Sequence, residues 1–324
     1  MPILEVEDLK VHYLSHVGTV KAVDGVSFTV SERECLGFAG ESGCGKTTLA
    51  LSLLGIISKP GRIVGGSIVI DGQLVKDFGT VRGKVMSMVF QGAMNALNPL
   101  FRVDEQIAEP LAVHRKIDWR SALKLARKNL ELVGIPENRH RAYPHELSGG
   151  MKQRAVIAMA LALEPRIVIL DEPATALDVV VQRRILDLIK SLREKLGTSF
   201  ICISHDITVL AEICDRLAVM YAGNLVEQGA TTKVVSDPIH PYTKALMESI
   251  MWVDSETRRL ESVIGGEPPS LISPPSGCRF HPRCPVYQAG HHEECSASPP
   301  ILREIIGGRY VACRYAERGS IREL

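Results

Sequence analysis

Residues 40–48 read Gly40-Glu41-Ser42-Gly43-Cys44-Gly45-Lys46-Thr47-Thr48 and fit the pattern G-x-x-x-x-G-K-[ST]. They lie between an apolar run at Cys35–Ala39 and a helix-like run at Leu49–Ile57. Strand, glycine-rich loop and helix therefore follow one another in the order that a phosphate-binding loop requires. In such a loop, backbone N–H groups and the positive end of the helix dipole bind the phosphates of a nucleotide.

Every residue of this loop is a candidate ligand for ATP. Lys46 would bring a mobile positive charge to the β- and γ-phosphates, and Thr47 would offer a hydroxyl to Mg²⁺. Cys44 has two interpretations, a reactive thiol at a helix N-terminus or a small residue that fits a tight loop. The second is favoured, because the chemistry does not need a sulfur atom.

Two acids follow an apolar run at Ile167–Leu170. If that run is a parallel strand, Asp171 and Glu172 lie at the carboxyl edge of the sheet, where ligands bind in such folds. Asp171 would hold Mg²⁺, directly or through water, and Glu172 would polarise the attacking water. Standing alone, the pair would more simply be a solvated acidic loop, but beside a phosphate loop it indicates ATP hydrolysis.

The composition narrows the class of protein. A chain of 324 residues can form one large α/β domain or two domains of unequal size. Its net charge of +1, from 38 Lys and Arg against 37 Asp and Glu, argues against nucleic acid as a partner. The apolar run at Ala155–Leu163 is far shorter than the roughly 18–20 residues that span a bilayer. The start of the sequence resembles no signal peptide, so we expect a cytoplasmic protein without disulfides.

Hydrophobic patterns predict an α/β fold. Short β-type runs at 4–6, 27–30 and 67–70 indicate the beginning of a mixed sheet. A helical pattern over about 105–135 indicates a helical insertion. Parallel β-α-β units are then predicted by a helix from about residue 150, strands at 167–170 and 199–203, and a helix over 179–196.

A further stretch narrows the choice among nucleotide-binding proteins. Leu147-Ser148-Gly149-Gly150-Met151-Lys152-Gln153-Arg154 resembles the signature sequence of ATP-binding cassette (ABC) proteins. Other residues in the order of that family are Tyr13, Gln91, Asp178 and His205. The resemblance implies an α/β P-loop NTPase fold, the ABC nucleotide-binding domain, with a mixed sheet core, an antiparallel β part, a helical subdomain and a small C-terminal cysteine-rich extension.

The resemblance also implies roles for these residues. In a head-to-tail dimer, Ser148, Gly149 and Gly150 of one subunit would close over the γ-phosphate held by the other. Tyr13 would stack on adenine, and Asp178 would cross the interface. His205 would contact the γ-phosphate and help to position the attacking water, whereas Gln91 would sense Mg²⁺ and link the site to a membrane partner. Taken singly, His205 would more often be a structural residue, Tyr13 a packed aromatic and Gln91 a surface amide. Found together in the order of the family, they favour function.

Two segments point to one branch of the family. The segment 90–100, Phe90-Gln91-Gly92-Ala93-Met94-Asn95-Ala96-Leu97-Asn98-Pro99-Leu100, is similar to the loop of peptide-importer cassettes, with Gly92-Ala93 in place of the more usual acid and proline. His240-Pro241-Tyr242 resembles the His-Pro-Tyr motif that opens the C-terminal extension of oligopeptide and dipeptide transporter ATPases.

Four cysteines crowd the end of the chain: Cys278, Cys284, Cys295 and Cys313. In a reducing compartment such a cluster indicates metal binding before disulfides, although its spacing matches neither a zinc ribbon nor a C-x₂-C ferredoxin. The tail resembles that of peptide-importer subunits, which implies a [4Fe–4S] cluster. Zinc binding and free or redox-regulatory thiols are the alternative interpretations of these cysteines. Three nearby histidines could substitute as ligands: His281, His291 and His292.

We therefore expect an ABC ATP-binding domain at 1–236 with a helical subdomain at about 100–160, an extension with a Pro-rich linker at 237–276, and a metal-binding tail at 277–324. The expected function is ATP hydrolysis that energises dipeptide or oligopeptide uptake at the cytoplasmic face of a bacterial membrane. The implied partners are a second ABC ATPase subunit (a paralogue or a second copy), two transmembrane permease subunits and, indirectly, an extracytoplasmic peptide-binding protein. Alternatives are a motor for nickel, an opine or another solute, a DNA-repair or ribosome-associated cassette ATPase, or a catalytically silent binding module.

Overall fold

The computed structural model describes residues 2–92, 96–175, 177–251, 264–290 and 293–316. Internal contacts divide the chain into two compact units. The first unit contains Met1–Ser31, Cys35–Val75 and Ser204–Leu324, and the second contains Glu32–Glu34 and Lys76–Ile203. The predicted domain boundaries near residues 236 and 276 stay a prediction, and both fall inside the first unit.

An antiparallel sheet opens the first unit. Its strands are β1 (Pro2–Ser15), β2 (Gly18–Ser31), β4 (Gly61–Ile70) and β5 (Gln73–Leu74), in the order β2-β1-β4-β5. The strands are longer than the apolar runs at 4–6, 27–30 and 67–70 predict. They continue through polar residues because backbone pairing holds them, with Tyr13 opposite both Val20 and Gly61.

A second group of strands in the first unit carries the phosphate loop. These strands are β3 (Cys35–Ala39), β9 (Arg216–Tyr221), β10 (Asn224–Ala230), β11 (Arg303–Ile306) and β12 (Arg309–Val311), in the order β11-β12-β10-β9-β3. β3 pairs with β9 in parallel, and the other pairs are antiparallel. All five residues of β3 are buried, as its continuous apolar sequence predicts for a strand covered on both faces.

Six described helices belong to the first unit. They are α1 (Lys46–Leu53), α6 (Ile207–Ile213), α7 (Thr231–Ser236), α8 (Pro241–Met251), α9 (Pro285–Gln288) and α10 (Glu294–Ala297). A 3₁₀ turn at His281–Arg283 precedes α9.

The second unit contains three parallel strands, β6 (Met86–Val89), β7 (Ile167–Asp171) and β8 (Ser199–Ile203), with β7 between the other two. All their residues are buried. Its helices are α2 (Val103–Arg115), α3 (Trp119–Leu132), α4 (Gly149–Leu161) and α5 (Val179–Leu196), and 3₁₀ turns lie at Phe78–Thr80, Glu137–Arg139 and Pro144–Glu146. The predicted β-α-β alternation is confirmed.

The helical insertion predicted over about 105–135 is confirmed, and it contains two helices, α2 and α3. Lys116 ends α2 with a left-handed backbone, φ 53°, and Asp118 caps α3 by accepting the Ser121 N–H at 3.0 Å. The hairpin β11–β12 in the tail was not predicted. Its strand β12 pairs with β10. Its turn residues Gly307 and Gly308 both have positive φ, which two-residue hairpin turns require. Among the residues that the structure describes, no helix combines the length and apolar character needed to cross a bilayer.

Candidate nucleotide site and cysteine module

The phosphate loop joins β3 to α1 as predicted, although α1 begins at Lys46 rather than Leu49. Close contacts with neighbouring backbone require glycine at two positions of the loop. A Cβ at Gly40 would lie 2.2 Å from the carbonyl oxygen of Met220, and one at Gly45 would lie 2.1 Å from that of Ala22. Both have positive φ, 149° and 109°. No other residue fits these positions without moving the backbone.

The ammonium of Lys46 is held within the loop. Its Nζ donates hydrogen bonds to the carbonyl oxygens of Gly40 at 2.7 Å and Glu41 at 3.0 Å, and the side chain is 7% exposed. Thr47 is exposed. The arrangement presents one positive charge and one hydroxyl at the start of α1, as anion and magnesium binding both require.

Two neighbouring side chains complete the loop. Cys44 is buried, and burial raises the pKa of its thiol. The Tyr13 hydroxyl lies 3.4 Å from Thr48 Oγ1, and its ring is half-buried against Gly61. Tyr13 is therefore beside the loop, and its contact with adenine stays a prediction.

In the second unit, Asp171 ends β7 and is 1% exposed. Glu172 follows it with a positive φ of 54°, which is rare for a residue with a side chain. Its N–H donates to the Ile203 carbonyl at 2.9 Å, and Thr175 Oγ1 donates to Glu172 Oε2 at 2.7 Å. Strained backbone of this kind is concentrated at functional sites, and here it fixes the direction of a candidate general base.

The signature segment opens α4. Ser148 is the N-cap residue, and its Oγ accepts the Met151 N–H at 3.3 Å. Ser148 and Gly149 are exposed, whereas Gly150 is half-buried. A Cβ at Gly150 would lie 2.6 Å from Val181 Cγ1. Because these three residues have short side chains or none, the Ser148 hydroxyl and the backbone N–H groups at the N-terminus of α4 can contact a ligand.

Three predicted residues lie at exposed positions next to strands or helices. Gln91 is in the turn after β6, and Asp178 caps α5 by accepting the Val181 N–H at 2.9 Å. His205 follows β8 and belongs to the first unit. Ala93, Met94 and Asn95 of the loop after Gln91 lie outside the described residues.

The four tail cysteines line one small cavity of about 20 Å³, together with His240, Phe280 and His281 among others. Burial raises the pKa of Cys278 to about 12 and that of Cys313 to about 11. Cys278 N–H donates to the Cys295 carbonyl at 2.7 Å, which brings two of the segments together. His281 also lines the cavity, whereas His291 and His292 lie outside the described residues.

Sequence reasoning missed a contact between this cysteine module, residues 277–316, and the phosphate loop. Arg283 forms an ion pair with Glu41 at 2.9 Å, and the Glu41 N–H donates to the Tyr242 hydroxyl at 2.9 Å. Arg283 is 242 residues from Glu41 along the chain, so no local pattern signals the pair.

Known proteins resemble the chain over nearly its whole length. A family model described as ABC transporter matches residues 23–175, and one described as the C-terminal region of oligopeptide/dipeptide transporters matches residues 226–295. The chain is 42% identical over 318 residues to the oligopeptide transport ATP-binding protein OppD of Salmonella typhimurium, covering 96% of this chain and 93% of that protein. It is 39% identical over 327 residues to the oligopeptide transport ATP-binding protein AppD of Bacillus subtilis, covering 98% of each.

Solved structures agree in fold. The dimeric ATP-binding cassette MJ0796, in a post-hydrolysis state bound to ADP and Pi, matches with a TM-score of 0.63 and 26% identity over 70% of this chain and 98% of that one. CbiO1 of Clostridium perfringens, part of the ABC transporter complex cbiONQ, matches with a TM-score of 0.64 and 30% identity over 73% of this chain and 91% of that one.

Proposed function

Because the chain belongs to the family of ATP-binding subunits of oligopeptide and dipeptide ABC importers, we propose that it hydrolyses ATP to energise peptide uptake across the cytoplasmic membrane. The observation that carries the proposal is the continuous likeness to importer ATPases from the strands before the phosphate loop to the cysteine tail. A DNA-repair or ribosome-associated ATPase would not share the C-terminal region that matches at 226–295.

In the proposed reaction, the loop residues bind the phosphates of ATP, and Lys46 moves its ammonium from the loop carbonyls to the β- and γ-phosphate oxygens. Thr47 and Asp171 would hold Mg²⁺, and Gln91 would sense it. Glu172 would take the proton of the attacking water as its oxygen bonds to the γ-phosphorus and the bond from that phosphorus to the bridging oxygen breaks, which releases ADP and phosphate; His205 would steady the γ-phosphate. The support for Glu172 is its fixed direction, given by the positive φ and the 2.7 Å bond from Thr175.

The second subunit is proposed to complete each site. Ser148, Gly149 and Gly150 would donate to the γ-phosphate bound by the partner, and Asp178 would lie at the interface. The support is the exposure of Ser148, Gly149 and Asp178 at helix N-termini and the dimer described for MJ0796. Loss of the γ-phosphate would remove the group that bridges the two subunits, and the dimer would open.

The membrane partners are proposed to be two permease subunits, supplied with peptide by an extracytoplasmic binding protein. Two apolar side chains follow the Gln91 loop and are open to a partner, Leu100 at 79% and Phe101 at 53% exposed. Exposed large apolar residues next to one another fit a protein interface better than solvent. The chain would then sit at the cytoplasmic face of the membrane as a peripheral subunit.

The His-Pro-Tyr extension is proposed to organise the cysteine module. Glu227 in β10 accepts the N–H groups of Ile239 and His240 at 3.0 and 2.8 Å, which fixes the start of α8. Tyr242 then packs its ring against Phe280 of the module, with ring centroids 5.4 Å apart.

The module is proposed to hold a [4Fe–4S] cluster on Cys278, Cys284, Cys295 and Cys313. The support is that all four residues line one small cavity, so that their sulfurs can share one bound group. Zinc also takes four cysteine thiolates, so assay of iron, sulfide and zinc separates the two groups. Bound there, a cluster would supply a cross-link between chain segments and a one-electron redox couple.

The decisive experiment is co-expression of the chain with candidate permease subunits and a second ATPase subunit, followed by reconstitution into vesicles. ATP-dependent uptake of labelled di- and oligopeptides, lost with Lys46→Ala, is expected. Nickel or an opine taken up in place of peptides would contradict the cargo, and ATP hydrolysis by a chain that never joins a permease complex would contradict the transport function.

A further inference from the structure

The carboxylate of Glu41, the second residue of the phosphate loop, is held by a guanidinium from the cysteine module. Arg283 Nη1 donates to Glu41 Oε2 at 2.9 Å, and Arg283 Nη2 donates to Glu41 Oε1 at 3.2 Å. The two side chains are only 8% and 11% exposed. A two-point Arg–carboxylate pair that is shielded from water fixes both position and direction.

The backbone of Glu41 is held on both sides as well. Its N–H donates to the Tyr242 hydroxyl at 2.9 Å, and its carbonyl accepts the Lys46 ammonium at 3.0 Å. Tyr242 is buried and packs against Tyr221 and Phe280, with ring centroids 4.6 and 5.4 Å away. One loop residue is thus joined to the catalytic lysine and to the module.

Arg283 itself has little freedom to move. Its Nε donates to the Gly265 carbonyl at 3.0 Å, its Nη2 to the Ile264 carbonyl at 3.3 Å and its Nη1 to the Tyr221 hydroxyl at 3.2 Å. It also ends the 3₁₀ turn that leads directly into Cys284. The position of the guanidinium therefore depends on the fold of the segment that carries the cysteine.

We propose that Arg283 is a positioning residue for nucleotide binding, acting through Glu41, and that occupancy of the four-cysteine cavity sets ATP affinity through this pair. Only the second half rests on the proposed cluster. Two physical effects act in the same direction. Arg283 neutralises a carboxylate that would otherwise repel the phosphates, and it holds the loop in one conformation, so less entropy is lost when ATP binds.

The first test is a double-mutant cycle on the full chain, with binding of a fluorescent ATP analogue as the measurement. Arg283→Gln leaves the Glu41 charge uncompensated, and we expect about 10-fold weaker binding, within the usual range for coupled sites. The variant should therefore have a higher KM for ATP and an unchanged kcat. Glu41→Gln combined with Arg283→Gln should recover most of the lost affinity, because the repelling charge is then gone.

Arg279→Gln is the matched control. Arg279 is also in the module and buried to a similar degree, 11% exposed, but its carboxylate partner is Asp24, outside the loop. We expect that adding Glu41→Gln to Arg279→Gln does not restore ATP affinity. Unchanged affinity in Arg283→Gln, or equal rescue of both arginine variants by Glu41→Gln, would overturn the proposal. Arg283→Lys keeps the charge and loses the two-point contact, so its affinity should be intermediate; affinity as weak as that of Arg283→Gln would contradict the charge argument.

The second test compares protein purified without oxygen before and after removal of its metal, with iron and sulfide assayed in each sample. Metal loss should weaken ATP binding in the wild type and leave Arg283→Gln unchanged, because that variant is already uncoupled. Equal weakening in both would overturn the link between cavity and loop. A chain that never contains metal would refute occupancy control and the cluster together, while the double-mutant cycle still decides the role of Arg283.

Discussion

Arg309 in β12 donates two hydrogen bonds to one buried oxygen of Glu227 in β10, from Nε at 3.0 Å and from Nη2 at 2.6 Å. The side chain of Glu227 is fully buried and that of Arg309 is 6% exposed. The same carboxylate accepts the N–H groups of Ile239 and His240. One ion pair therefore joins the tail hairpin, the central strand β10 and the start of α8.

Removing one partner of this pair should be costly, because the other charge would stay buried. We expect Arg309→Met to lower the free energy of unfolding by about 3–5 kcal/mol. The double variant Arg309→Met/Glu227→Gln should recover a large part of the lost unfolding free energy. The amide oxygen introduced at position 227 can still accept the N–H groups of Ile239 and His240, and no charge stays buried. Urea unfolding followed by circular dichroism measures both. A single variant within 1 kcal/mol of wild type would contradict this account.

The nucleotide site could be predicted from the sequence further than the tail could. Loop residues such as Lys46 are contiguous, so a local pattern reveals them, but both ends of α1 were misplaced, since the helix spans Lys46–Leu53 and not 49–57. The error at its start has a physical reason, because Lys46, Thr47 and Thr48 are polar for the ligand and carry no apolar signal. The ion pair between Arg309 and Glu227 joins residues 82 positions apart, and the pair between Arg283 and Glu41 joins residues still farther apart. No periodicity reports such contacts.

Two glycines of the phosphate loop should differ sharply in their tolerance of alanine. A Cβ at Gly40 would lie 2.2 Å from the Met220 carbonyl, whereas one at Gly43 would meet nothing within 4 Å, although both have positive φ. Gly40→Ala should therefore cost about 2–4 kcal/mol of stability from overpacking plus backbone strain. Gly43→Ala should cost only the strain, about 1–2 kcal/mol.

Thermal unfolding of both variants checks this prediction. ATP binding should be lost in Gly40→Ala, because the backbone that surrounds the phosphates must move. Equal melting temperatures for the two variants would show that the contact with Met220 does not constrain the loop.

His240 should make the fold sensitive to acid. Burial lowers the pKa of His240 to about 3. Its Nδ1 accepts the Tyr242 N–H at 3.0 Å, and Nε2 has no hydrogen-bond partner among the described residues. The unfolded chain binds the proton near pH 6.5, so it holds more protons than the folded chain between pH 6.5 and about 3. Stability is therefore full above pH 6.5 and falls with pH below it, by about 2 kcal/mol between pH 7 and 5.

The matched variant is His240→Asn, whose side-chain oxygen can still accept the Tyr242 N–H but does not titrate. We expect its unfolding free energy to fall less steeply between pH 7 and 5 than that of the wild type. Parallel curves for the two proteins would assign the acid sensitivity to other groups.

Glu172 should be required for hydrolysis and not for ATP binding. Glu172→Gln keeps the shape of the side chain and removes the base, so hydrolysis should fall by about 100-fold or more. With Mg²⁺-ATP present, the variant should accumulate as a dimer in gel filtration, because the bridging γ-phosphate stays intact.

Thr175→Val gives a graded comparison, since it removes only the 2.7 Å hydrogen bond that orients Glu172. A fall in kcat of about 3- to 10-fold is expected, the usual net effect of one solvent-exposed hydrogen bond. Wild-type turnover by Glu172→Gln would exclude Glu172 as the base.

The metal content of the tail decides between the chemistries that its four cysteines allow. Protein purified without oxygen should contain about four irons and four acid-labile sulfides per chain, and Cys278→Ser should lose them. Cys44→Ser is the matched control, because Cys44 is buried in the phosphate loop and outside the cavity. One zinc per chain instead of iron would replace the redox-active cluster by a structural ion.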